Sequence, residues 1–418
     1  MTTGGAEMRG KNVVFLSLLE PWSIAKDVGA PSFYETLRGY ARAGAHLHYL
    51  TSAKSGSGGD AHGQQISIDL PGMVVHRIRI PEVFGSHRLQ SKAVRLLLFP
   101  LLAARRLPGL IAESSADLVY AYESSAILAV HWLQLRGALS VPVVARYQGT
   151  ILGERYADVS FALRKLESLL SLRAAASGYV MTNDGTFGDK ALRHWNRRVS
   201  DSNLLFIRNG IDLSIKSQQV NRSEALLARG LDPTHTYLLT VSRLTSWKRV
   251  DRAIRILAAL HSEFPHLRLL VCGEGPARPG LEEAARDAGI AGKVHFLGAQ
   301  PRSEVAVWMH AADLFLSLYD VSNCGNPLFE ALLLGKPIVT LDNGATGTVI
   351  VDGVNGRLVD PRAEDSLPDV VRELLGSAEL RQRLSGGARA WAEQELYSWE
   401  ERLSREISWL QRLIPAVR

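Results

Sequence analysis

Short, wholly apolar runs alternate along this chain with longer amphipathic stretches. In the N-terminal half the apolar runs predict strands at 12–19, 46–51, 117–122, 141–147, 178–182 and 203–209. Amphipathic stretches between them predict helices at 30–44, 125–137 and 163–176. Buried strands that alternate with helices are typical of a parallel sheet covered by helices on both faces. The first half of the chain is therefore predicted to be a doubly wound α/β domain.

The same pattern restarts after an irregular stretch. Strands are predicted at 236–242, 266–272, 293–298, 313–318 and 336–342. Helices are predicted at 250–265, 281–289 and 326–335, and the chain is helical from Glu364 onwards. We therefore expect an α/β fold of two doubly wound domains facing a central cleft, where ligands bind at the carboxyl ends of the strands. The expected boundaries are a domain over 1–208, a linker over 209–223, a domain over 224–395 and a terminal helix within 396–418 that packs at the domain junction.

Length and composition agree with this organisation. The chain has 418 residues, which at about 150 residues per domain makes two or three domains. Hydrophobic residues make up 46% and charged residues 22%, which argues against a disordered, collagenous or coiled-coil chain. With 2 cysteines and no apolar leader pattern in the first twelve residues, we expect a reduced, cytoplasmic protein without a signal peptide. Apolar runs also fall short of the roughly 18 residues of a spanning helix.

The excess of basic over acidic residues restricts the possible classes of ligand only partly. A formal net charge of +6 suits a polyanionic ligand, an anionic membrane or nucleic acid, and it is equally explained by solubility alone. Basic residues are dispersed, and no RNA-binding, zinc or helix-turn-helix signature is present, so we expect no nucleic-acid partner.

Three strand–loop–helix units carry candidate chemistry. In the first, Arg243 and Lys248 flank a short loop before a helix, where two cations and a helix N-terminus suit phosphate; both could equally be solvated surface residues. In the second, Gly273, Gly275 and Pro276 form a tight turn whose glycines let a ligand approach the backbone. Many strand–helix turns look like this one, so the second unit alone is a weak signal.

The third unit is the sequence SNCGNP and the helix after it. Asn326 is the predicted N-cap, with proline in the first turn, and Gly325 would leave backbone N–H groups open to an oxyanion. Glu330 lies in the first turns of this helix, where its carboxylate could accept hydrogen bonds from two adjacent hydroxyls such as a ribose diol. Favourable pairing of the carboxylate with the helix dipole is the alternative explanation.

Taken together, these units resemble the C-terminal domain of GT-B glycosyltransferases of family 4, which transfer a sugar from a nucleotide diphosphate with retention of configuration. The matching order is VSRL with Lys248, VCGEGP, KVHFLG, the Gly-Asn-Pro helix, GKPIV and DGVNGRLV. In the N-terminal half the agreement is less specific and rests on segments that include DVGAPSFYETLRG, which holds Gly29, and the sequences ADLVYAY, VPVVARYQGT and RNGID. The resemblance covers roughly residues 12 to 395.

The resemblance implies a role for several of these residues. Arg243 and Lys248 would bind the donor diphosphate and stabilise its growing charge as catalytic residues. Glu330 would bind the ribose hydroxyls, the Gly325–Asn326 backbone would contact phosphate or sugar, and backbone near Phe296 would meet the base. Gly275 belongs to the same donor site. Neither a metal ion nor a cofactor is implied, because cations and a helix dipole neutralise the diphosphate, and the partners are a nucleotide-sugar donor and a glycan or small-molecule acceptor.

The sequence departs from the family at several positions. Ser322 stands where the first glutamate of an E-x7-E pair is usual, and Asp320 is a candidate substitute. Gln148 stands where many members have a histidine, and glutamine cannot act as a general base. Thr348 stands where many members have a glutamate. SNxGNP, RYQGT and TNDG define a subgroup, in which Asn183 and Asp184 are cleft candidates; a helix N-cap by Asp184 is the alternative.

A basic apolar stretch over 88–111 holds Arg88, Lys92, Arg95, Arg105 and Arg106 and no acidic residue. With Pro100 inside it, the stretch predicts two short helices. Basic amphipathic helices lie on anionic membranes, so a peripheral contact with the inner face of a membrane is one interpretation. A surface helix that packs its leucine face on the sheet is the other.

We therefore expect a nucleotide-sugar-dependent, hexosyltransferase-like enzyme. A non-catalytic nucleotide-sugar-binding member, or a partner subunit of a glycosyltransferase, is the alternative that Ser322 and Gln148 keep open. A nicotinamide-dependent dehydrogenase is disfavoured, because the first strand is not followed by a G-x-G-x-x-G turn. The sequence does not determine the nucleobase of the donor, the transferred sugar or the acceptor.

Overall fold

The computed structural model of this protein describes residues 8–19, 31–53, 70, 72–81 and 87–414. The chain forms two compact units. Unit 1 consists of Met1–Gly210 with Trp399–Arg418, and unit 2 consists of Ile211–Ser398. The irregular stretch after residue 210 contributes to unit 2, because Ile211 and Ile215 are buried in its core.

Unit 1 contains a sheet of seven parallel strands in the order β3-β2-β1-β4-β5-β6-β7. The strands are β1 Asn12–Leu16, β2 His46–Ala53, β3 Met73–Arg79, β4 Leu118–Tyr122, β5 Val143–Tyr147, β6 Gly178–Thr182 and β7 Leu204–Ile207. Its helices are α1 Pro31–Arg42, α2 His87–Ala93, α3 Phe99–Ser114, α4 Ser124–Leu135, α5 Val159–Arg164, α6 Leu166–Leu172, α7 Gly188–Trp195 and α15 Trp399–Leu413. The strand order reverses between β1 and β4.

Unit 2 repeats this arrangement with six parallel strands in the order β10-β9-β8-β11-β12-β13. The strands are β8 Thr236–Val241, β9 Leu267–Cys272, β10 Val294–Gly298, β11 Leu314–Ser317, β12 Ile338–Leu341 and β13 Arg357–Val359. Its helices are α8 Arg222–Leu227, α9 Val250–Leu260, α10 Arg278–Asp287, α11 Arg302–Ala311, α12 Asn326–Leu333, α13 Leu367–Gly376 and α14 Ala378–Glu395. The order reverses between β8 and β11.

The fold class predicted from sequence is confirmed as two Rossmann-like domains with parallel sheets. Both faces of each central strand are buried, which explains why these strands are apolar at every position rather than at alternate ones. In β9, for example, Leu269 faces one hydrophobic core of unit 2 and Leu270 faces the other. No helix among the described residues is long and apolar enough to cross a membrane.

Three local expectations differ from the structure. Strand β3 was missed because it lies at the sheet edge, where only part of its apolar surface is buried and its sequence includes His76 and Arg77. The single helix expected over 163–176 is broken at Lys165, whose φ of −107° and ψ of 48° separate α5 from α6. The break expected at Pro100 instead precedes it, as a π-helical turn over Val94–Leu98, and Pro100 lies in the first turn of α3 where proline is tolerated.

The α3 helix packs its apolar face on unit 1, as expected if the 88–111 stretch contains a surface helix. Its apolar side chains, Phe99, Ala103, Leu107 and Leu110 among them, are buried in the core of unit 1. Its basic residues face outward, and Arg106 forms a two-pronged ion pair with Glu113.

The last helix is fixed to unit 1 by a fully buried polar cluster. The Glu406 carboxylate accepts hydrogen bonds from the hydroxyls of Tyr40 at 3.1 Å and Tyr120 at 2.8 Å. It also pairs with Arg402 at 2.5 Å and with Arg146 of β5 at 3.5 Å. Although burial favours the neutral acid, the two arginines and the two hydroxyls hold the pKa of Glu406 below its ordinary value. One carboxylate thus balances two buried cations.

We expect Glu406→Ala to destabilise the protein by about 3–5 kcal/mol, because it leaves Arg146 and Arg402 buried without a counter-charge. The matched control on the same helix is Glu401→Ala, whose exposed pair with Arg405 is worth less than about 1 kcal/mol. Urea denaturation of both variants measures the difference, and equal midpoints would contradict this account.

Candidate donor site in unit 2

The candidate residues of unit 2 lie on loops that follow three neighbouring strands. Strand β8 lies between β9 and β11 in the sheet, and the strand order reverses beside it. Open α/β sheets bind ligands at the carboxyl ends of the strands around such a reversal. The loops after β9, β8 and β11 carry the Gly273–Pro276 turn, the Arg243–Lys248 segment and the Asp320–Asn326 segment, respectively. The topology therefore brings together the three units that the sequence singled out.

The loops after β8 and β9 are joined backbone to backbone. The Leu244 N–H donates to the Glu274 carbonyl at 2.9 Å, and the Ala277 N–H donates to the Leu244 carbonyl at 2.9 Å. A Cβ on Gly273 would lie 1.8 Å from the Ser242 carbonyl oxygen, and one on Gly275 would lie 2.4 Å from that of Leu244. The glycines are therefore required for contact between two loops of the protein, a different reason from the ligand approach that the sequence suggested.

Both candidate cations are on the β8 loop, in different surroundings. Arg243 is exposed, and its side chain makes no hydrogen bond or ion pair within the described parts of the chain. The Lys248 ammonium lies 4.1 Å from the ring centre of Trp247 and 3.5 Å from that of Tyr319. Tyr319 is itself fixed, because its hydroxyl donates to the Val241 carbonyl at 2.8 Å. Two aromatic faces thus hold Lys248 by cation–π attraction.

Trp247 and Tyr319 were not among the sequence candidates. Trp247 directly precedes Lys248 in the chain, which is a weak signal, whereas Tyr319 follows β11 and reaches Lys248 only through the fold. The buried hydroxyl of Thr245 on the same loop has no hydrogen-bond partner within the described residues. Because buried hydroxyls are usually bonded, a bound ligand or water is the expected partner of Thr245.

Asp320 connects the β8 and β11 loops. Its carboxylate accepts from Arg252 at 2.7 Å and from Arg249 at 3.1 Å, both near the start of α9. Its backbone N–H donates to the Trp247 carbonyl at 3.0 Å. The structure therefore places Asp320 in a brace between loops, with its charge already paired with two arginines.

The SNCGNP segment is held by a buried asparagine. The Asn323 side-chain oxygen accepts from the Ser317 hydroxyl at 3.0 Å and from the Tyr319 N–H at 2.9 Å, and its amide donates to the Leu341 carbonyl at 3.0 Å. Ser322 is buried next to it, and its hydroxyl accepts from the Cys324 N–H at 3.2 Å. Sequence reasoning missed Asn323, whose partners lie on two other segments of the chain.

The start of α12 differs from the expectation by one residue. Gly325, with φ −96° and ψ 166°, is the N-cap, and Asn326 is the first helical residue, so the predicted N-cap at Asn326 is wrong. The N–H of Gly325 donates to the Asn323 carbonyl at 2.8 Å and is not open to a ligand. The cause is the tight Asn323–Gly325 turn, which starts the helix one residue early.

Glu330 is half-buried in α12, and its carboxylate has no hydrogen bond within the described residues. Burial raises the pKa of Glu330 to about 7, with Arg302 lowering and Asp212 further raising it. A carboxylate that is partly desolvated and unbonded can accept two hydrogen bonds from a ligand. Among the sequence candidates, Glu330 is the carboxylate whose surroundings leave it available.

Phe296 is half-buried on β10, with the guanidinium of Arg278 5.6 Å from its ring centre. Arg278 also pairs with Glu274 of the β9 loop at 2.6 Å. Arg278 thus connects Phe296 on β10 with the loop that contains the Gly273–Pro276 turn. Thr348 is exposed on a short 3-10 turn, and its hydroxyl donates to the Ala345 carbonyl at 2.8 Å.

The unit 1 candidates form a separate polar group at the ends of β5 and β6. The Gln148 side-chain amide donates to the Tyr122 hydroxyl at 2.6 Å and accepts from the Thr182 hydroxyl at 3.2 Å, so its orientation is fixed. The Asp184 carboxylate accepts from the N–H and hydroxyl of Thr186 in a local turn. It does not cap α7, whose N-cap is Phe187, so the alternative of an N-cap at Asp184 is wrong.

Asn183 follows β6, where its backbone N–H donates to the Ile207 carbonyl at 2.9 Å. A Cβ on Gly149 of the RYQGT segment would lie 2.0 Å from the Asp184 carboxylate, so the two motifs are in contact. Gly29 lies outside the residues that the structure describes. In the described part of the chain, no group of three His, Cys, Asp or Glu residues is arranged to hold a metal ion.

Comparison with known proteins places this site in context. Residues 223–391 match the family model described as Glycosyl transferases group 1. The glycogen synthase of Mycobacterium tuberculosis is 26% identical over 300 residues, 70% of this chain and 66% of that protein. Together these matches support a group 1 glycosyltransferase. The chain spans 66% of the length of that relative and about half the length of others.

Two solved structures have a fold similar to nearly the whole of this chain. Sucrose-phosphate synthase from Thermosynechococcus elongatus has a TM-score of 0.74 at 18% identity, covering 98% of this chain and 100% of that chain. Anabaena Alr3699/HepE, solved with UDP-glucose, has a TM-score of 0.70 at 18% identity, covering 96% and 99%. The fold is therefore GT-B, as the motifs predicted, while assignment to family 4 and to the SNxGNP subgroup stays a prediction.

We expect Gly273→Ala to destabilise unit 2 by at least about 2 kcal/mol, because its Cβ would clash with the Ser242 carbonyl at a φ of 139°. Gly292→Ala is the matched control, since no atom lies within 4 Å of its Cβ position. Thermal unfolding of the two variants compares them, and an unchanged Gly273→Ala midpoint would show that the loops can separate at little cost.

Proposed function

We propose that this protein transfers a hexosyl group from a nucleotide-diphosphate sugar to a hydroxyl acceptor, with retention of configuration and without a metal ion. The observation that carries the proposal is the pair of loops after β8 and β11. One supplies two cations, Arg243 and Lys248, and the other leads to α12 with the unbonded carboxylate of Glu330. A sugar nucleotide presents the matching chemistry, with a diphosphate for the cations and a ribose diol for the carboxylate.

In this proposal the cations act on the leaving group. The bond between the anomeric carbon and the diphosphate oxygen breaks, and negative charge grows on the diphosphate. Arg243 and Lys248 stabilise that charge, which lowers the barrier because the stabilisation is largest in the transition state. The acceptor hydroxyl attacks from the same face, and its proton passes to the departing phosphate oxygen. No separate base is then needed, in keeping with Gln148 at the position where a histidine is usual.

Glu330 would accept hydrogen bonds from both ribose hydroxyls, and backbone near Phe296 would meet the edge of the base. The Gly275 turn supports the same pocket through its contact with the Arg243 loop. UDP-glucose is the first donor to test, because Alr3699/HepE was solved with it. Ser322 and Asn326 remain proposed donor contacts, whereas the charge of Asp320 is already paired.

The acceptor side of the proposal rests on unit 1, with Gln148, Asn183 and Asp184 as its candidate contacts. A glycan, a lipid-linked saccharide or a small metabolite is the proposed acceptor class. Both cysteines are free and buried, which suits the reducing cytoplasmic compartment that we propose. A peripheral membrane contact through 88–111 also stays a proposal.

We expect one of UDP, GDP, dTDP and ADP to bind in calorimetry, and Arg243→Ala to weaken that binding by about 1.5–3 kcal/mol, the worth of a charge-assisted hydrogen bond. Arg383→Ala, on the exposed side of α14, is the control that removes an equal charge elsewhere. If none of the nucleotides binds, the donor site is wrong. Binding without turnover of any sugar nucleotide would favour the non-catalytic alternative, and an inverted product anomer in NMR would overturn retention.

The affinity for UDP-glucose should depend on pH through Glu330. Its pKa of about 7 in the free protein is lowered when a diol donates to the carboxylate, so the ionised form binds. Because protonation of free Glu330 competes with binding, the affinity is nearly full at pH 8, about half of that at pH 7, and about tenfold lower at pH 6.

Calorimetry in buffers of different ionisation enthalpy measures the proton released on binding. Glu330→Gln should abolish the pH dependence between 6 and 8, and a 2′,3′-dideoxy donor should release no proton. A pH dependence that survives Glu330→Gln would assign the titration to another group.

A further inference from the structure

An exposed apolar stripe runs along the outer side of α5 and α6 in unit 1. We define this stripe as Val159, Leu163, Leu166 and Leu170, whose side chains are 57%, 58%, 44% and 39% exposed. Val159 and Leu163 lie four residues apart on α5, and Leu166 and Leu170 lie four residues apart on α6, so each pair shares one face of its own helix. Single exposed leucines are ordinary on protein surfaces, whereas four large apolar side chains exposed within twelve residues of two consecutive helices make a candidate interaction surface.

The stripe is not a displaced core face. On the opposite side of the same helices, Ala162, Leu169 and Leu172 are buried in the core of unit 1. Asp158 caps the start of α5 by accepting from the Phe161 N–H at 2.9 Å, which fixes where the helix begins. Both sides of α5 and α6 are therefore apolar, and the inner side already satisfies the packing of the fold.

Cations surround the N-terminal end of the stripe. The guanidinium of Arg155 lies 4.3 Å from the ring centre of Phe161, and Arg164 and the Lys165 ammonium lie 5.9 Å and 5.8 Å from it. Arg155 is ion-paired with Asp158 at 2.6 Å, so Arg164 and Lys165 supply the net positive charge beside the exposed leucines.

A second apolar and basic segment adjoins α6. The chain over 90–106 contains no acidic residue, and its Leu97 and Leu101 are 56% and 39% exposed. The Arg95 guanidinium pairs with Glu167 of α6 at 3.5 Å, which connects this segment to the stripe. Over 90–106 and 151–173 together, eight lysines and arginines stand against three carboxylates, and Glu113 adds a fourth carboxylate through its pair with Arg106.

We propose that the stripe and its cations dock on the surface of an anionic lipid bilayer. Apolar side chains gain free energy by entering the boundary between headgroups and acyl chains, and flanking Lys and Arg are attracted to anionic headgroups. The positive charge decides between occupants: a second copy of this chain packing on the same patch would bring like charges together, whereas an anionic bilayer neutralises them. The docking element is α5–α6, with the 90–106 segment beside it.

Co-sedimentation of the full chain with lipid vesicles tests this proposal. We expect binding to vesicles of phosphatidylcholine with added phosphatidylglycerol, little binding to phosphatidylcholine alone, and release by salt. The double variant Leu163→Ser/Leu170→Ser should lower the partition coefficient at least about tenfold, because two half-exposed leucines no longer insert. Arg164→Glu should lower it at least about fivefold.

Matched controls exist in unit 2. Leu227 and Leu213 are 62% and 40% exposed, so Leu227→Ser/Leu213→Ser removes equal apolar exposure from another surface. Arg383→Glu reverses an exposed charge elsewhere. Circular dichroism checks that every variant is folded.

A wild-type chain that stays in solution with anionic vesicles overturns the proposal. Vesicle binding that the stripe variants leave unchanged also overturns it. The same holds if the protein does not bind vesicles but forms a concentration-dependent dimer that the stripe variants abolish. The assay contains no nucleotide, so its outcome is independent of the donor site.

Discussion

The backbone contact between the loops that follow β8 and β9 is the constraint on which the candidate site depends. The Ser242 carbonyl occupies the space that a side chain on residue 273 would fill. This contact sets the path of the β8 loop and with it the positions of Arg243 and Lys248. Asp320 then links the same loop to the one after β11, so the loops at three strand ends are connected to one another. A phosphate site made of loops needs this rigidity, since preorganised charges cost no rearrangement during the reaction.

Polar side chains of this protein divide into buried ones that hold the fold and less buried ones that are left open to a ligand. Asn323 is hydrogen-bonded through both its side-chain oxygen and its amide, Glu406 is held by two hydroxyls and two arginines, and both residues are fully buried. Among the described residues, half-buried Glu330 and exposed Arg243 have no such side-chain partners. An unbonded carboxylate whose pKa is raised to about 7 is costly to keep, and a ligand that bonds to it recovers that cost. Whether a polar side chain already has partners within the protein is therefore a better criterion for a candidate donor contact than its residue type.

The first and last parts of the chain meet in unit 1, because α15 returns to it after unit 2 is complete. Its buried Glu406 balances Arg146 of β5, two residues before Gln148. The segment RYQGT is therefore anchored at its start by the end of the chain. On the outer side of the same unit, α5 and α6 leave an apolar stripe uncovered. Unit 1 thus combines a fixed polar interior with an incompletely buried surface.

The sequence alone determined the fold class, since wholly apolar runs alternating with amphipathic ones leave few arrangements other than two doubly wound sheets. It also singled out Arg243, Lys248 and Glu330 as candidates, because the chemistry of cations and a carboxylate at strand–helix turns follows from residue type and position. Only the tertiary structure decided that Asp320 is a brace, that the Gly275 turn contacts a loop, and that Lys248 lies between two rings. Those facts depend on contacts between residues distant in the chain, which local patterns do not encode.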